Sequence, residues 1–459
     1  MDVESWRNSE KTILKSKRNY AHFDIRTDIS KCWNYVSDPQ KVASHGFYPF
    51  IHYAQDLSKY SRKIGGMKEK TRDICYAAHL DRCIFQYYNF LLNELYNQEC
   101  VVLGMSETPI AYRTNLNKKN NIDFAKKAFN CIQKSRNCYV MIGDFTKFFD
   151  RLDHLYLKKQ WRQLLHVSTL PSDHYAVFKN LTCFSYFELG DILKINHLPN
   201  TNAGYRKLNK QERALSTQQF KENIGLKKKN EICGIPQGSP MSGVLANIYM
   251  LELDKLVHDF VKSLGGLYMR YSDDFIIVLP DLDEDEAFRD LKYIVQLFNS
   301  DNYPGLELQP SKTQYFHYTS GKVSNCGSEI DPCADTSSQS QISFLGFTFN
   351  GEYVRIRDKT ISKYYHRLNR KAKSIRRIKR KREGLTKKGN KVGYDELYKN
   401  YSVRGAKTKK GNFLTYVYHA QKKGRFENEP AIKLVTDRNM FKVRQSLNRK
   451  PKKGAESDG

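Results

Sequence analysis

No two cysteines of this chain stand at the two-residue spacing that structural zinc sites favour, although it carries ten of them. Thiols scattered in this way argue against a zinc ribbon and read as reduced packing residues. Long apolar runs are missing as well. No stretch of about 18 apolar residues occurs, and the opening MDVESWRNSEKTILKSK lacks an apolar core of signal-peptide length. Neither a membrane span nor an export leader is therefore expected, and the expected setting is soluble, reducing and cytoplasmic, with no membrane partner. Internal repeats are absent, and no heptad marks an association surface. Acids are the scarce class: 49 aspartates and glutamates face 77 lysines and arginines, a formal net charge of +28. Solubility alone does not require such an excess, and a polyanionic partner explains it economically.

A chain of 459 residues with 40% hydrophobic content can bury a real core, with length suggesting roughly two to four structural units. Residues 65–98 begin with the basic stretch GGMKEKTRD, read as a loop, which feeds the packed helix of ICYAAHLDRCIFQYYNFLLNELYNQ. In IDFAKKAFNCIQK, apolar Ile122, Ala125, Phe129 and Ile132 recur every three or four residues and predict a second helix, after which CYVMIG predicts a buried strand. Residues 164–230, with Pro171, Pro199 and a lysine-rich stretch, read as a mixed, partly helical and exposed segment. GIPQGSPMSGVLANIYMLELDKLV then runs from a turn into an amphipathic helix, and in LYMRYSDDFIIVLP two apolar runs flank a polar turn, the pattern of a β-hairpin. Phe288, Leu291, Ile294, Val295 and Phe298 predict a helix over residues 283–299, followed by LELQPSKTQYF and a strand pair around FLGFTFNGEYVRI. From Cys138 the order strand, helix, hairpin, helix, strand resembles a split βαβ arrangement. Between residues 363 and 388 thirteen lysines and arginines occur with one acid, Glu383, while Tyr364, Leu368, Ala372, Ile375 and Ile378 keep one packing face. A helix laid along a phosphate backbone fits that pattern. The terminal NRKPKKGAESDG is expected to be disordered.

Asp144 ends the CYVMIG strand and opens DFTKFFDRLDH, while Asp273 and Asp274 stand at the hairpin tip. One carboxylate at a strand end is ordinarily a turn or cap residue. Two adjacent acids between apolar runs repel each other and call for a cation. Two Mg²⁺ ions about 3.5–4 Å apart would suit such oxygen ligands and in-line phosphoryl transfer. YSDD in a hairpin, preceded by DFTKFFD and by PQGSP before a helix, resembles a reverse transcriptase over residues 65–382.

The resemblance implies an α+β right-hand polymerase. Its parts would be an N-terminal region with fingers (1–137), a split βαβ palm of antiparallel sheet and helices (138–350) with an inserted segment (165–230), a basic helical thumb (351–425) and a partly disordered tail (426–459). It further implies that Asp144 and Asp273 are the main metal ligands, that Asp274 assists, and that the backbone carbonyl of Phe145 completes the coordination. Phe149 matches the steric gate that excludes a 2′-hydroxyl and so favours DNA as product; its neighbour Phe148 reads as core. Gln237 and Gly238 match the motif bordering nucleotide and template base. Arg72, with Lys70 or Lys68, matches the grip on the triphosphate, Lys312 the lysine that neutralises or protonates the departing pyrophosphate, and Phe344 to Phe347 the turn beneath the primer terminus. Asp150 and Asp153 read as capping or hydrogen-bonding residues of the following helix.

After PQGSPM the chain has Ser242-Gly243 and then VLAN with Asn247, where family members often continue Ser-Pro; HNH and cysteine-rich nuclease motifs are missing, and only VTD stands where a retron would show VTG. The nearest likeness is to bacterial reverse transcriptases of antiphage defence and abortive infection, related to those of retrons and group II introns. The implied partners are an RNA template or structured noncoding RNA, dNTPs and the DNA product, with a second copy of the chain or a defence-system protein as further candidates. Rival readings are a retron-type enzyme, a template-independent DNA polymerase, an RNA-dependent RNA polymerase and a catalytically silent RNA-binding subunit.

Overall fold

The computed structural model describes residues 2–61, 65–116, 118–229, 233–381 and 393–449. Its strands, in chain order, are β1 (Phe50–Ser61), β2 (Gly66–Tyr76), β3 (Asn137–Asp144), β4 (Ser185–Glu188), β5 (Lys228–Lys229), β6 (Leu267–Tyr271), β7 (Asp274–Pro280), β8 (Gln314–Thr319), β9 (Lys322–Asn325), β10 (Ile342–Phe344), β11 (Phe347–Phe349) and β12 (Val354–Ile356). Together with the helices they make a mixed α+β architecture, as expected.

The expected strand CYVMIG is β3, the centre of a five-stranded antiparallel sheet ordered β6-β7-β3-β8-β9. Its apolar run is continuous because both faces are covered. Tyr139 and Met141 enter one core with Phe275 and Ile277, under helices Ser242–Tyr249, Leu251–Ser263 and Glu284–Phe298. Cys138 and Val140 enter the other with Ile276 and Val278, against helix Asn121–Ser135 and strands β10 to β12. A one-residue slip of β3 would exchange the two sets, so burial of each large side chain, worth about 1.5–3 kcal/mol, fixes the register. Helix Asn121–Ser135 starts at a capping box between Asn120 and Asp123 and buries Ile122, Ala125, Phe129 and Ile132, the four residues its periodicity marks.

Three sequence expectations need correction. GGMKEKTRD is no loop: Gly66–Tyr76 is a strand paired antiparallel with β1 along its length. Its lysines hide the strand pattern, and the pair is held by the backbone ladder and cross-strand contacts such as the Thr71 hydroxyl donating to Asp56 at 3.0 Å. The segment 165–230 is not simply exposed. Its strand β4 pairs parallel with β1, and its Phe187, Ile192, Leu193, Leu208 and Leu215 are buried with Phe23 and Ile51. Beyond helix Ser172–Thr182 its helices run for only six or seven residues at a time, too short to show a period. Around FLGFTFNGEYVRI stand three strands, not two, in the order β10-β11-β12.

The cationic stretch begins as helix Asp358–Lys381; residues 382–388 lie outside the described residues. Leu368, Ala372 and Ile375 pack against Leu397 and Val443, while Lys363, Arg367, Arg370, Lys373 and Arg377 stay exposed. Val443 lies on helix Asn439–Asn448, so this packed unit continues beyond residue 425; the last ten residues of the expected tail, 450–459, lie outside the described residues. No described helix is long and apolar enough to cross a membrane.

Candidate active site

Asp144 and Asp274 face each other as the last paired residues of β3 and β7, and Asp273 completes the two-residue turn that Ser272 begins in left-handed conformation (φ 63°). The sheet thus delivers three carboxylates to one edge. Asp144 is only 13% exposed; its Oδ2 accepts from the Lys312 ammonium, and its Oδ1 is buried with no hydrogen-bond partner among the described residues. Burial pushes the Asp144 acid above its ordinary range and the Asp273 charge adds to this, while Lys312 opposes both. At Asp274 burial, then the charges of Asp273 and Asp144, raise the pKa from 3.8 to about 6, against the pull of Arg357 and Lys312. Asp274 is only partly covered, being open to solvent at the turn, so water screens part of this effect.

Among the described residues no three His, Cys, Asp or Glu side chains converge closely enough to hold an ion by themselves, and the Lys312 ammonium is the cation against Asp144. The donors nevertheless fit Mg²⁺, which binds through one or two carboxylates plus substrate oxygens rather than in an all-protein cage. A buried, unpartnered oxygen and mutually repelling carboxylates are what a divalent cation relieves. Phe145 can add a carbonyl. Asp144 O and Thr146 N are used by Gln309 and Glu307 on one edge, so the Phe145 carbonyl faces the opposite edge, where β7 and Asp273 lie.

The turn is braced from beneath by residues that sequence reasoning missed. Arg270, fully buried on β6, pairs with the equally buried Asp254: Nε to Oδ1 at 2.8 Å and Nη2 to Oδ2 at 2.5 Å. Its Nη1 donates to the Ser272 carbonyl at 2.9 Å, and Tyr268 donates to Asp254 at 2.8 Å. Asn247, noted only as part of VLAN, accepts from Arg270 and donates to Ala111 O at 2.9 Å. The signal was present in the sequence: Arg270 interrupts the apolar strand LYMRY, and Asp254 falls in the apolar stripe of Leu251, Val257 and Val261. A buried charge implies a buried partner.

Beside this edge the chain assembles the residues expected around the nucleotide. Phe148 is buried and Phe149 half-buried, their rings edge to face at 5.3 Å. Gln237 donates to Asp150 at 2.8 Å, and its carbonyl accepts from the Cys75 N–H of β2 at 2.8 Å. Gly238 has φ 117° and lies where a Cβ would stand 2.6 Å from the Cys75 carbonyl oxygen, so no other residue permits this approach of loop and strand. Asp153 caps the following helix through the Tyr156 N–H at 2.7 Å. Arg72 is exposed on β2, opposite Gln55 and three residues before Cys75. Lys70 pairs with Leu57 through its backbone; its side chain, like that of Lys68, lies outside the described residues. In FLGF, Leu345 (φ 45°) and Gly346 (φ 90°) form the turn between β10 and β11, and Arg357, whose charge bears on Asp274, donates its N–H to Gly346 O at 3.0 Å. The structure therefore brings Asp144, Phe145, Asp273, Asp274 and Lys312 together and links Phe149 with Gln237, Gly238 and the strand carrying Arg72.

The raised Asp274 pKa has a thermodynamic sign. Between about pH 4 and pH 6 the folded state holds a proton that the unfolded state has lost, so without divalent metal stability falls as pH rises through that window. Thermal midpoints measured in EDTA are expected to fall more steeply from pH 4 to 6 in the wild type than in Asp274→Asn, with Mg²⁺ offsetting the wild-type loss. Identical slopes would remove the carboxylate repulsion from the account.

No curated protein matches the sequence. Among solved structures, apo telomerase from Candida tropicalis truncated from its C-terminal domain is similar at 14% identity and a TM-score of 0.40, with 71% of this chain and 60% of that chain covered. Telomerase from Candida albicans in complex with a TWJ fragment of telomeric RNA gives 14%, 0.34, 74% and 52% in the same order. At these values the likeness says nothing of what this chain binds or makes. A protein-family model described as reverse transcriptase (RNA-dependent DNA polymerase) matches residues 68–349, more than half of the chain and the span that holds all three aspartates. The chain belongs to the reverse transcriptase family, nucleotidyltransferases that polymerise DNA on an RNA template.

Proposed function

We propose that this chain makes DNA from a structured noncoding RNA by two-metal phosphoryl transfer at Asp144, Asp273 and Asp274, in the cytoplasm of a bacterium and in the service of antiphage defence. The observation that carries the mechanism is the three-carboxylate edge, with a buried Asp144 oxygen that no group among the described residues satisfies. Two Mg²⁺, when bound, supply activation of the primer 3′-hydroxyl and stabilisation of the leaving pyrophosphate. Asp144, Asp273 and the Phe145 carbonyl would hold them, with Asp274 assisting. Lys312, which donates to Asp144, stands at this edge as the charge or proton donor for the departing pyrophosphate. Arg72 and Lys70 grip the triphosphate, and Gln237 and Gly238 border the nucleotide and template base.

Residues 1–137 serve as fingers, 138–350 as palm with the insert 165–230 lying against the fingers sheet, and 351–425 as thumb, extended by the helices that follow. The exposed cations of helix Asp358–Lys381 suit an RNA or hybrid backbone. The defence role rests on the Ser242-Gly243 departure, and the reducing setting on the scattered spacing of the ten cysteines. A phage challenge tests the biology: cells carrying the wild-type system should survive, and protection undiminished by Asp273→Asn would overturn it.

Phe149 next to the nucleotide loop supports DNA as the product. In primer extension with competing dNTPs and rNTPs, Phe149→Ala is expected to raise ribonucleotide incorporation by about tenfold or more, since each 1.4 kcal/mol of lost discrimination is a factor of ten. An unchanged ratio would place the gate elsewhere.

A further inference from the structure

The Ser242-Gly243 pair, where the family often continues Ser-Pro, has a structural counterpart beside the carboxylate edge. A Cβ on Gly243 would stand 2.6 Å from Cγ of Tyr112 and 2.8 Å and 3.0 Å from its Cδ atoms, so the bare glycine is the floor on which that ring lies. Tyr112 is held with φ 60°, a conformation uncommon for a bulky side chain, and its carbonyl accepts from the Asn93 amide at 3.0 Å. From this seat the phenol donates to the Ser272 hydroxyl at 3.1 Å. Ser272 directly precedes Asp273, and its carbonyl is already taken by Arg270. Two hooks from different parts of the chain thus fix one left-handed turn residue. Tyr112 is 47% exposed, so its strained backbone is not repaid by filling a core.

We infer that Tyr112, seated on Gly243, is a positioning residue of the catalytic turn: it holds the Ser272 hydroxyl and through Ser272 sets the direction of the Asp273 carboxylate. The inference rests on the polymerase reading above. It also gives Gly243 a role, because any Cβ there would push the ring away from Ser272.

Tyr112→Phe keeps the ring and removes the hydroxyl, so it tests the hook alone. In Mg²⁺-dependent primer extension it is expected to lower kcat about five- to tenfold, the worth of one hydrogen bond, with the KM for dNTP unchanged and more Mg²⁺ needed for half-maximal rate. Ser272→Ala should match it, and the double variant should be no slower than either single one. Gly243→Ala should reproduce the effect. The thermal midpoint of Tyr112→Phe should stay at the wild-type value. Unchanged kcat in Tyr112→Phe, or losses that multiply in the double variant, would overturn the inference while leaving the polymerase reading in place; wild-type protein unable to extend any primer would overturn both.

Discussion

Asp273→Asn is expected to reduce nucleotide addition by at least about 10³-fold, because in the proposed mechanism it removes a metal ligand and with it several kcal/mol of transition-state stabilisation. The substitution is nearly isosteric and removes a charge that both Asp144 and Asp274 feel, so the folded protein should be no less stable than wild type. Binding to RNA should be unaffected, since the exposed cations of helix Asp358–Lys381 are untouched. Primer extension and filter binding, run on the same preparation, separate the two properties. Synthesis retained within tenfold of wild type would take this carboxylate out of the mechanism.

Asp254→Asn carries the largest expected loss of stability. Arg270 and Asp254 are both fully buried, and removal of one charge strands the other away from water, at a cost of about 3–5 kcal/mol. Urea unfolding followed by circular dichroism should show the midpoint fall accordingly. The paired replacement Asp254→Leu with Arg270→Met should regain most of that stability, because neither charge is then left buried alone. It should remain slow in primer extension, since the Ser272 carbonyl loses its donor and the turn beneath Asp273 its brace. Full activity in the double variant would mean that the pair serves the fold and not the turn.

Legibility in the sequence followed the range of the physics. The central sheet was readable because β3 and β7 carry unbroken apolar runs ended by acids, a signal contained in a dozen residues. The carboxylate edge was readable for the same reason, since YSDD sits in the turn of its own hairpin. Lysine-rich β2 escaped because its pairing partner, not its composition, makes it a strand. The insert escaped because apolar residues such as Phe187, Ile192 and Leu208 are buried against β1 and the N-terminal Phe23, far away in sequence. What braces the site is longer in range still: Lys312 meets Asp144 across 168 residues and Tyr112 meets Ser272 across 160. Arg270 and Asp254, 16 residues apart, could have been matched as two charges on apolar faces in need of each other.

One assay asks directly whether the three-aspartate edge copies RNA into DNA. Purified protein, with any RNA it carries retained, is given Mg²⁺, the four dNTPs and an annealed RNA template with DNA primer, and the products are sequenced. The expected product is DNA complementary to the RNA, made by wild type and not by Asp273→Asn. Folded wild-type protein that binds the template but adds no nucleotide, or that adds noncomplementary DNA, would contradict it.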